Sequence, residues 1–238
     1  MHFETDRPAF EFRQGTAPLL ISFPHVGTYV PPALAERFTP EAREVHDTDW
    51  HLPILYAFAQ EIGASTLVAT HSRLVVDMNR PPDGASLYPG QSVTGLCPVD
   101  TFADTQVYRS ADLQPDDAEV AQRRDTVWKP YHDQLAAELA RIKAQHGAAG
   151  LWDAHSIQSV LPRFFDGKLP DLNLGTNKGA SCGAGVGEAL LAEAQKSAAD
   201  GFSAVLNGRF QGGYITRHYG QPAQNVHAVQ LEMTQSSY

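Results

Sequence analysis

Leu19-Leu20-Ile21-Ser22-Phe23-Pro24-His25 is a short apolar run, rich in branched side chains, that stops abruptly at proline. That is the pattern of a buried strand whose carboxyl end carries a histidine. Similar runs recur at Ser65 to Ala69, Leu74 to Asp77, Gly150-Leu151-Trp152, Ala204 to Leu206 and His227 to Leu231, the last ending at Glu232. Helical patterns lie between them. Thr39-Pro40-Glu41 reads as an N-cap with proline in the first turn, and apolar positions continue to Ile62, divided into two helices by Pro53. Asp116 or Asp117 caps a longer helix whose Val120, Trp128, Tyr131, Leu135, Leu139 and Ile142 keep three-or-four spacing up to Gly147, with a kink at Pro130. Those aromatics are core residues. After an irregular stretch to Gly183, another helix covers Val186 to Ala198. Strands alternating with helices predict an α/β fold with a mixed, mostly parallel sheet covered on both faces. There is no internal repeat and no interdomain linker, so residues 1–238 read as a single domain.

Composition narrows the function classes. With 18 Lys+Arg against 27 Asp+Glu the chain carries a formal charge of −9, and its basic residues are scattered, which supplies no footprint for a phosphate backbone or an anionic membrane. Nucleic acid and membrane partners are not expected. At 42% hydrophobic and 19% charged residues, the 238-residue chain can build a sizeable core. Cys97 and Cys182 form no CxxC pair, which excludes thiolate zinc and a disulfide framework. The opening MHFETDRPAFEF lacks a basic-then-apolar signal, so the expected address is the cytoplasm. Ten histidines, several beside carboxylates, direct attention to metal chemistry.

In α/β sheets ligands gather beyond the carboxyl ends of the strands, and there the pattern collects His25, Asp77 to Arg80, His155 and Glu232. A catalytic zinc wants about three nitrogen or oxygen ligands and one open position. His25, Asp49 and His155 meet that need, with Asp47 a rival carboxylate and no local HExxH. Asp77-Met78-Asn79-Arg80-Pro81 sets a guanidinium fork beside an amide, the means to clamp a substrate carboxylate; the alternative is an Asp77–Arg80 ion pair that fastens a loop. Asn207 to His218 adds Arg209, Tyr214 and Arg217 around the pair Gly212-Gly213. Glu232 can take a proton from water, or be an exposed acid at a strand end. Gly183-Ala184-Gly185-Val186-Gly187 has neither the preceding strand nor the spacing of a dinucleotide loop and reads as a helix start. Ser156 lacks a GxSxG frame, which disfavours a serine hydrolase. Residues 81 to 114 are rich in turn formers and read as a wall or lid of the site.

Seven segments together resemble the N-formylglutamate amidohydrolase (deformylase) family: Ser22 to Thr28, Asp47 to His51, Val76 to Pro82, Leu87 to Gln91, Trp152 to Ser156, Gly212 to Arg217 and Val229 to Glu232. The resemblance runs from about Leu19 to the last residue. It implies a phosphorylase/hydrolase-like three-layer α/β/α sandwich related to zinc carboxypeptidases. It also implies metal-dependent hydrolysis of N-formyl-L-glutamate to formate and L-glutamate in bacterial histidine degradation. Carried onto this sequence, His25, Asp49 and His155 become ligands of one divalent metal, zinc by its chemistry. Glu232 becomes the general base, and Arg80 with Asn79 the carboxylate clamp, with Arg209, Tyr214 and Arg217 as further substrate contacts. Family members continue past the Val229–Glu232 strand into a C-terminal helix, whereas this sequence stops at Tyr238: either it is trimmed short of that helix or the helix is absent, and absence would leave the sheet less covered. Two other functions compete: a carboxypeptidase-like or N-acyl-amino-acid deacylase acting on another acidic substrate, and a non-catalytic binding protein for an acidic metabolite.

Overall fold

Leu20, Ile21, Ser22 and Phe23 are all buried, so this strand has packed neighbours on both of its faces. A computed structural model describes residues 2–85 and 93–238. Its strands are β1 (Phe10–Arg13), β2 (Leu19–Phe23), β3 (Ser65–Ala69), β4 (Ala149–Ile157), β5 (Leu172–Gly175), β6 (Ala204–Leu206) and β7 (Val226–Thr234). They form one 7-stranded sheet in the order β1-β3-β2-β4-β7-β5-β6. The central neighbours β3, β2, β4 and β7 are parallel, as are β5 and β6, while β1 runs antiparallel to β3 and β5 antiparallel to β7. The sheet is therefore mixed and mostly parallel, as the alternating pattern predicts.

The helices are α1 (Pro32–Ala35), α2 (Leu52–Leu55), α3 (Asp117–Arg123), α4 (Lys129–His146), α5 (Val186–Ala194) and α6 (Tyr214–Tyr219). Alternation along the strands assigns them to faces. Leu20, Leu151 and Ala228 belong to the core that holds Tyr131, Leu135, Leu139 and Ile142 of α4. Their neighbours in sequence, Ile21, Trp152 and Val229, point the other way, toward Leu52 of α2 and Val186 and Leu190 of α5. Between α2 and α5 this second face is open as an apolar groove floored by Ile21, Trp152, Val229 and Leu231 and rimmed by Phe58 and Ile62. Among the described residues no helix is long and apolar enough to cross a membrane.

The long helical pattern is present with a different joint. Asp116 accepts a hydrogen bond from Glu119 N at 2.8 Å to cap α3, and Gly147 at φ 81 ends α4. Just before Pro130, Arg124–Trp128 forms a π-helical turn, a widened turn that accommodates the proline's missing N–H. Other expectations give way. Leu74 to Asp77 is not a strand but a turn in which Val75 N donates to Ser72 O at 2.9 Å. Its apolar composition reflects burial alone. The segment from Thr39 to Ile62 holds short turns and α2 instead of two helices, because Val45 (φ 47) and His51 (φ 61) adopt left-handed conformations that stop helix growth. β4 and β7 run on through the polar residues expected to end them, paired in register from Ala149–Val226 to Ile157–Thr234. The helical pattern from Val186 to Ala198 divides into α5 and a 3-10 segment over Gln195–Asp200. The short elements β1, β5 and α6 carry too little periodicity to be read from sequence. The segment Leu87 to Gln91 lies outside the described residues.

Candidate metal centre and active site

Parallel pairing of β2, β4 and β7 brings their carboxyl ends to one rim. His25 follows β2, and His155 of β4 stands in register with Glu232 of β7. Asp49 is drawn in when its N–H donates to His25 O at 3.0 Å. The result is a buried cluster. His25 Nδ1 and His155 Nδ1 lie 3.1 Å apart, and Asp49 Oδ2 is 3.1 Å from His155 Nδ1 and 3.8 Å from His25 Nδ1. Asp47, the rival carboxylate, is engaged elsewhere: its Oδ2 accepts from Phe102 N at 2.8 Å.

The far nitrogens of both rings are held by carboxylates. His25 Nε2 is 2.7 Å from Asp77 Oδ1, and His155 Nε2 is 3.1 Å from Asp153 Oδ2. A carboxylate only accepts, so a proton on each Nε2 answers Asp77 and Asp153, and each Nδ1 then faces the other ring and Asp49, with a lone pair to offer once a cation lies among them. Three such electron pairs at this spacing repel one another unless positive charge lies among them. The titration behaviour shows a proton taking that place on His155. Burial disfavours a charged imidazole, yet Asp153 and Asp49 raise the His155 pKa well above its ordinary value, while burial and Arg73 lower that of His25. Two imidazole nitrogens and one carboxylate oxygen are the donor set of a borderline divalent ion such as zinc. The residues fit the group.

A second layer fixes these partners. Arg73 Nη2 donates to Asp77 Oδ2 at 2.6 Å and Asn79 N to Asp77 Oδ1 at 2.8 Å. Burial works against ionisation of Asp77, but Arg73, Arg80 and His25 hold its carboxyl well below the usual range. Asp153 accepts from Ser22 Oγ at 3.3 Å, Thr216 Oγ1 at 3.3 Å and Asn79 Nδ2 at 3.4 Å. Gln230 Nε2 donates to Glu232 Oε2 at 3.1 Å, and burial pushes the Glu232 carboxyl above its ordinary value, helped by Asp49 and Asp153 and opposed by His155 and Arg73.

Residues 17–238 match the family described as N-formylglutamate amidohydrolase. The chain belongs to that family. It is 55% identical over 227 residues to the N-formylglutamate deformylase of Pseudomonas aeruginosa, covering 95% of this chain and 84% of the relative. The N-formylglutamate deformylase of Pseudomonas putida is 50% identical over the same shares. Two crystal structures share the fold. One is an N-formylglutamate amidohydrolase from Ralstonia eutropha (TM-score 0.81, 22% identity, 98% of this chain and 88% of that one). The other is a gene product of Agrobacterium tumefaciens (TM-score 0.69, 18% identity, 97% and 86%).

Within this family member, the cleft over the cluster is lined by Arg80, Arg209, Asn79 and Glu232 from the sequence reading and also by Arg73 and Gln230, which that reading missed. Arg80 donates from Nε to Thr94 O at 2.8 Å and from Nη2 to Thr94 Oγ1 at 3.1 Å. Its Nη1 lies 3.8 Å from Asp77, whose close partner is Arg73. Tyr214 and Arg217 are not among the lining residues. Both sit on α6, where the Tyr214 ring stacks on His218 at 4.8 Å and Arg217 Nε donates to Gly212 O at 2.7 Å. The available sequence signal for Arg73 was its spacing of four from Asp77, which on a helical turn sets a cation beside a carboxylate.

Proposed function

We propose that this chain hydrolyses N-formyl-L-glutamate to formate and L-glutamate, using one divalent metal held by His25, Asp49 and His155. The carrying observation is the pair of Nδ1 atoms 3.1 Å apart beside Asp49, each ring fixed from behind by a carboxylate, at the floor of a cleft that also exposes arginine and a buried glutamate. The deformylase relatives at 50 and 55% identity support the choice of substrate. The family resemblance supports a setting in histidine degradation, a layered α/β/α architecture and kinship with zinc carboxypeptidases.

When bound there, zinc supplies Lewis acidity that lowers the pKa of water toward neutral and polarises a carbonyl oxygen. The chain's own residues do the rest. Glu232 accepts the proton of the attacking water and returns it to the amide nitrogen as the C–N bond breaks, so formate leaves with the hydroxyl and glutamate with the proton. Burial, which raises the affinity of Glu232 for a proton, suits it to that shuttle. Gln230 holds Oε2 and thereby orients the carboxylate. The dianionic substrate needs two cationic or amide anchors, and Arg80 and Arg209 line the cleft for that purpose. Arg73 keeps Asp77 ionised, which maintains the His25 tautomer.

Glutamate release tests the reading. The purified chain with one equivalent of zinc releases L-glutamate from N-formyl-L-glutamate far faster than from N-acetyl-L-glutamate or a C-terminal glutamyl dipeptide. Faster turnover of either comparison compound would replace this reading with the deacylase or carboxypeptidase one.

A further inference from the structure

The polar residues over the metal cluster share the cleft with an aromatic surface that has no part in the chemistry described so far. Phe102, Phe164 and Phe210 all line the cleft. Phe102 is linked to the reacting centre through Arg73, which lies over its ring at 4.3 Å and places Nη1 3.4 Å from the metal-facing His25 Nδ1. Its ring meets Phe164 edge to face at 5.0 Å and 85°.

This wall is held from several directions. Asp47 Oδ2 accepts from Phe102 N at 2.8 Å, which gives that buried carboxylate a task although it does not reach the metal cluster. The loop carrying Phe102 closes on itself through Thr101 N to Thr105 O at 2.9 Å, Asp104 N to Thr101 O at 3.0 Å and a left-handed Asp104 at φ 62. Arg163, next to Phe164, reaches across to Asp100 Oδ1 at 3.0 Å and donates to Thr101 O. With a second ion pair to Asp104 at 3.6 Å, Arg163 thus ties the two halves of the wall together. A surface fixed by packing and backbone hydrogen bonds does not yield to an extra methyl group as a loose loop would.

We infer that Phe102, backed by Phe164 and latched by Arg163, is the specificity-determining wall on the acyl side of the cleft, closing it to acyl groups larger than formyl. The inference rests on the amidohydrolase reading above and adds to it which side chains set the acyl limit. The amino-acid side of the substrate carries charge and belongs with Arg80 and with Arg209, which donates to Phe164 O at 2.6 Å and lies over the Phe210 ring at 5.3 Å; the ring left to the uncharged acyl side is Phe102, whose own arginine, Arg73, is paired with Asp77. The acyl substituent is a hydrogen in the formyl group and carries no charge, so it belongs against the phenyl rings. Acetyl replaces that hydrogen with a methyl group that meets the Phe102 ring.

The test compares N-formyl-, N-acetyl- and N-propionyl-L-glutamate on the zinc-loaded parent chain and on Phe102→Ala, Phe102→Leu and Arg163→Ala. One methyl group in a tight pocket changes specificity by roughly 10 to 200-fold, so Phe102→Ala is expected to raise the acetyl-to-formyl ratio of kcat/KM by about 10-fold or more. Phe102→Leu gives a smaller rise, and Arg163→Ala a rise without any change in the lining ring. Melting temperature and bound zinc are measured on each variant, and Phe102→Leu decides the matter if the alanine variant does not fold. A merely structural wall lowers turnover of all three substrates together, and an unchanged ratio in every folded variant overturns the inference while leaving the amidohydrolase reading intact. A parent chain that releases no glutamate from the formyl compound overturns the reading itself, and the inference with it.

Discussion

Asp77 and Asp153 grip the nitrogens of His25 and His155 that face away from the cluster, and this makes them as informative as the ligands themselves. Replacing either by Asn keeps the shape and removes the charge that fixes the tautomer. Zinc affinity, read by competition with a coloured chelator, is expected to fall about 10 to 100-fold in Asp77→Asn or Asp153→Asn, and His155→Ala to lose stoichiometric zinc altogether. Unchanged affinity in both Asn variants would show that the carboxylates serve the fold alone. Glu232→Gln preserves the Gln230 contact region but cannot take a proton, so kcat falls by about 10²-fold or more with zinc still bound. Near-normal turnover in that variant would move the base elsewhere. At Arg80 the fork matters as well as the charge: Arg80→Lys is expected to raise KM while changing kcat little, because the clamp acts in ground and transition states alike. A fall in kcat at constant KM would instead assign Arg80 to the developing oxyanion.

At the scale of elements, α4 buries an imidazole against Tyr219 at the end of α6. His132 on α4 stacks on Trp128 at 3.7 Å, places Nδ1 3.0 Å from Tyr219 Oη and Nε2 2.8 Å from Met78 O. Burial lowers its pKa to about 3, against an ordinary value of 6.5 in the unfolded chain. The unfolded state therefore binds the extra proton first, and stability falls as pH drops from 6.5 toward 3, by about 1.4 kcal/mol per pH unit for this one group. Urea denaturation at a series of pH values is expected to show that slope reduced by one proton in His132→Gln. An equal slope in both proteins would show that His132 does not drive the acid sensitivity. The start of α6 adds a second element-scale test. A Cβ on Gly213 would lie 2.3 Å from the Asn79 amide nitrogen, which reaches Asp153. Gly213→Ala is thus expected to displace Asn79 and lower activity more than its loss of melting temperature explains.

For the whole molecule, the legible part of the architecture was the part governed by local pattern. His25 and Glu232 could be found because each interrupts or follows an apolar run, and parallel pairing then had to bring such ends together. His155 was legible as a residue beside a strand, although β4 continues past it: hydrogen bonds from Ser22, Asn79 and Thr216 satisfy Asp153 where an isolated charge would end pairing. What stayed hidden depends on contacts distant in sequence. Arg73 was invisible as a cleft residue, and Asp47 and Asp49 were indistinguishable until one was seen on Phe102 and the other on His155. Tyr214 and Arg217 lie on α6, a six-residue helix with no room for a periodic signal, so their place in the fold was not legible. Leu74 to Asp77 looked like a strand because a fully buried turn and a buried strand share a composition.

The central claim is that His25, Asp49 and His155 form one metal centre on which deformylation depends. Its most direct test is a zinc titration of the chelator-stripped chain, following formate release from N-formyl-L-glutamate. Negligible activity is expected in the stripped protein, with a linear rise that saturates at about one equivalent of zinc per chain, the stoichiometry of a single three-ligand site. Full activity in the stripped protein, indifferent to added zinc, would contradict it.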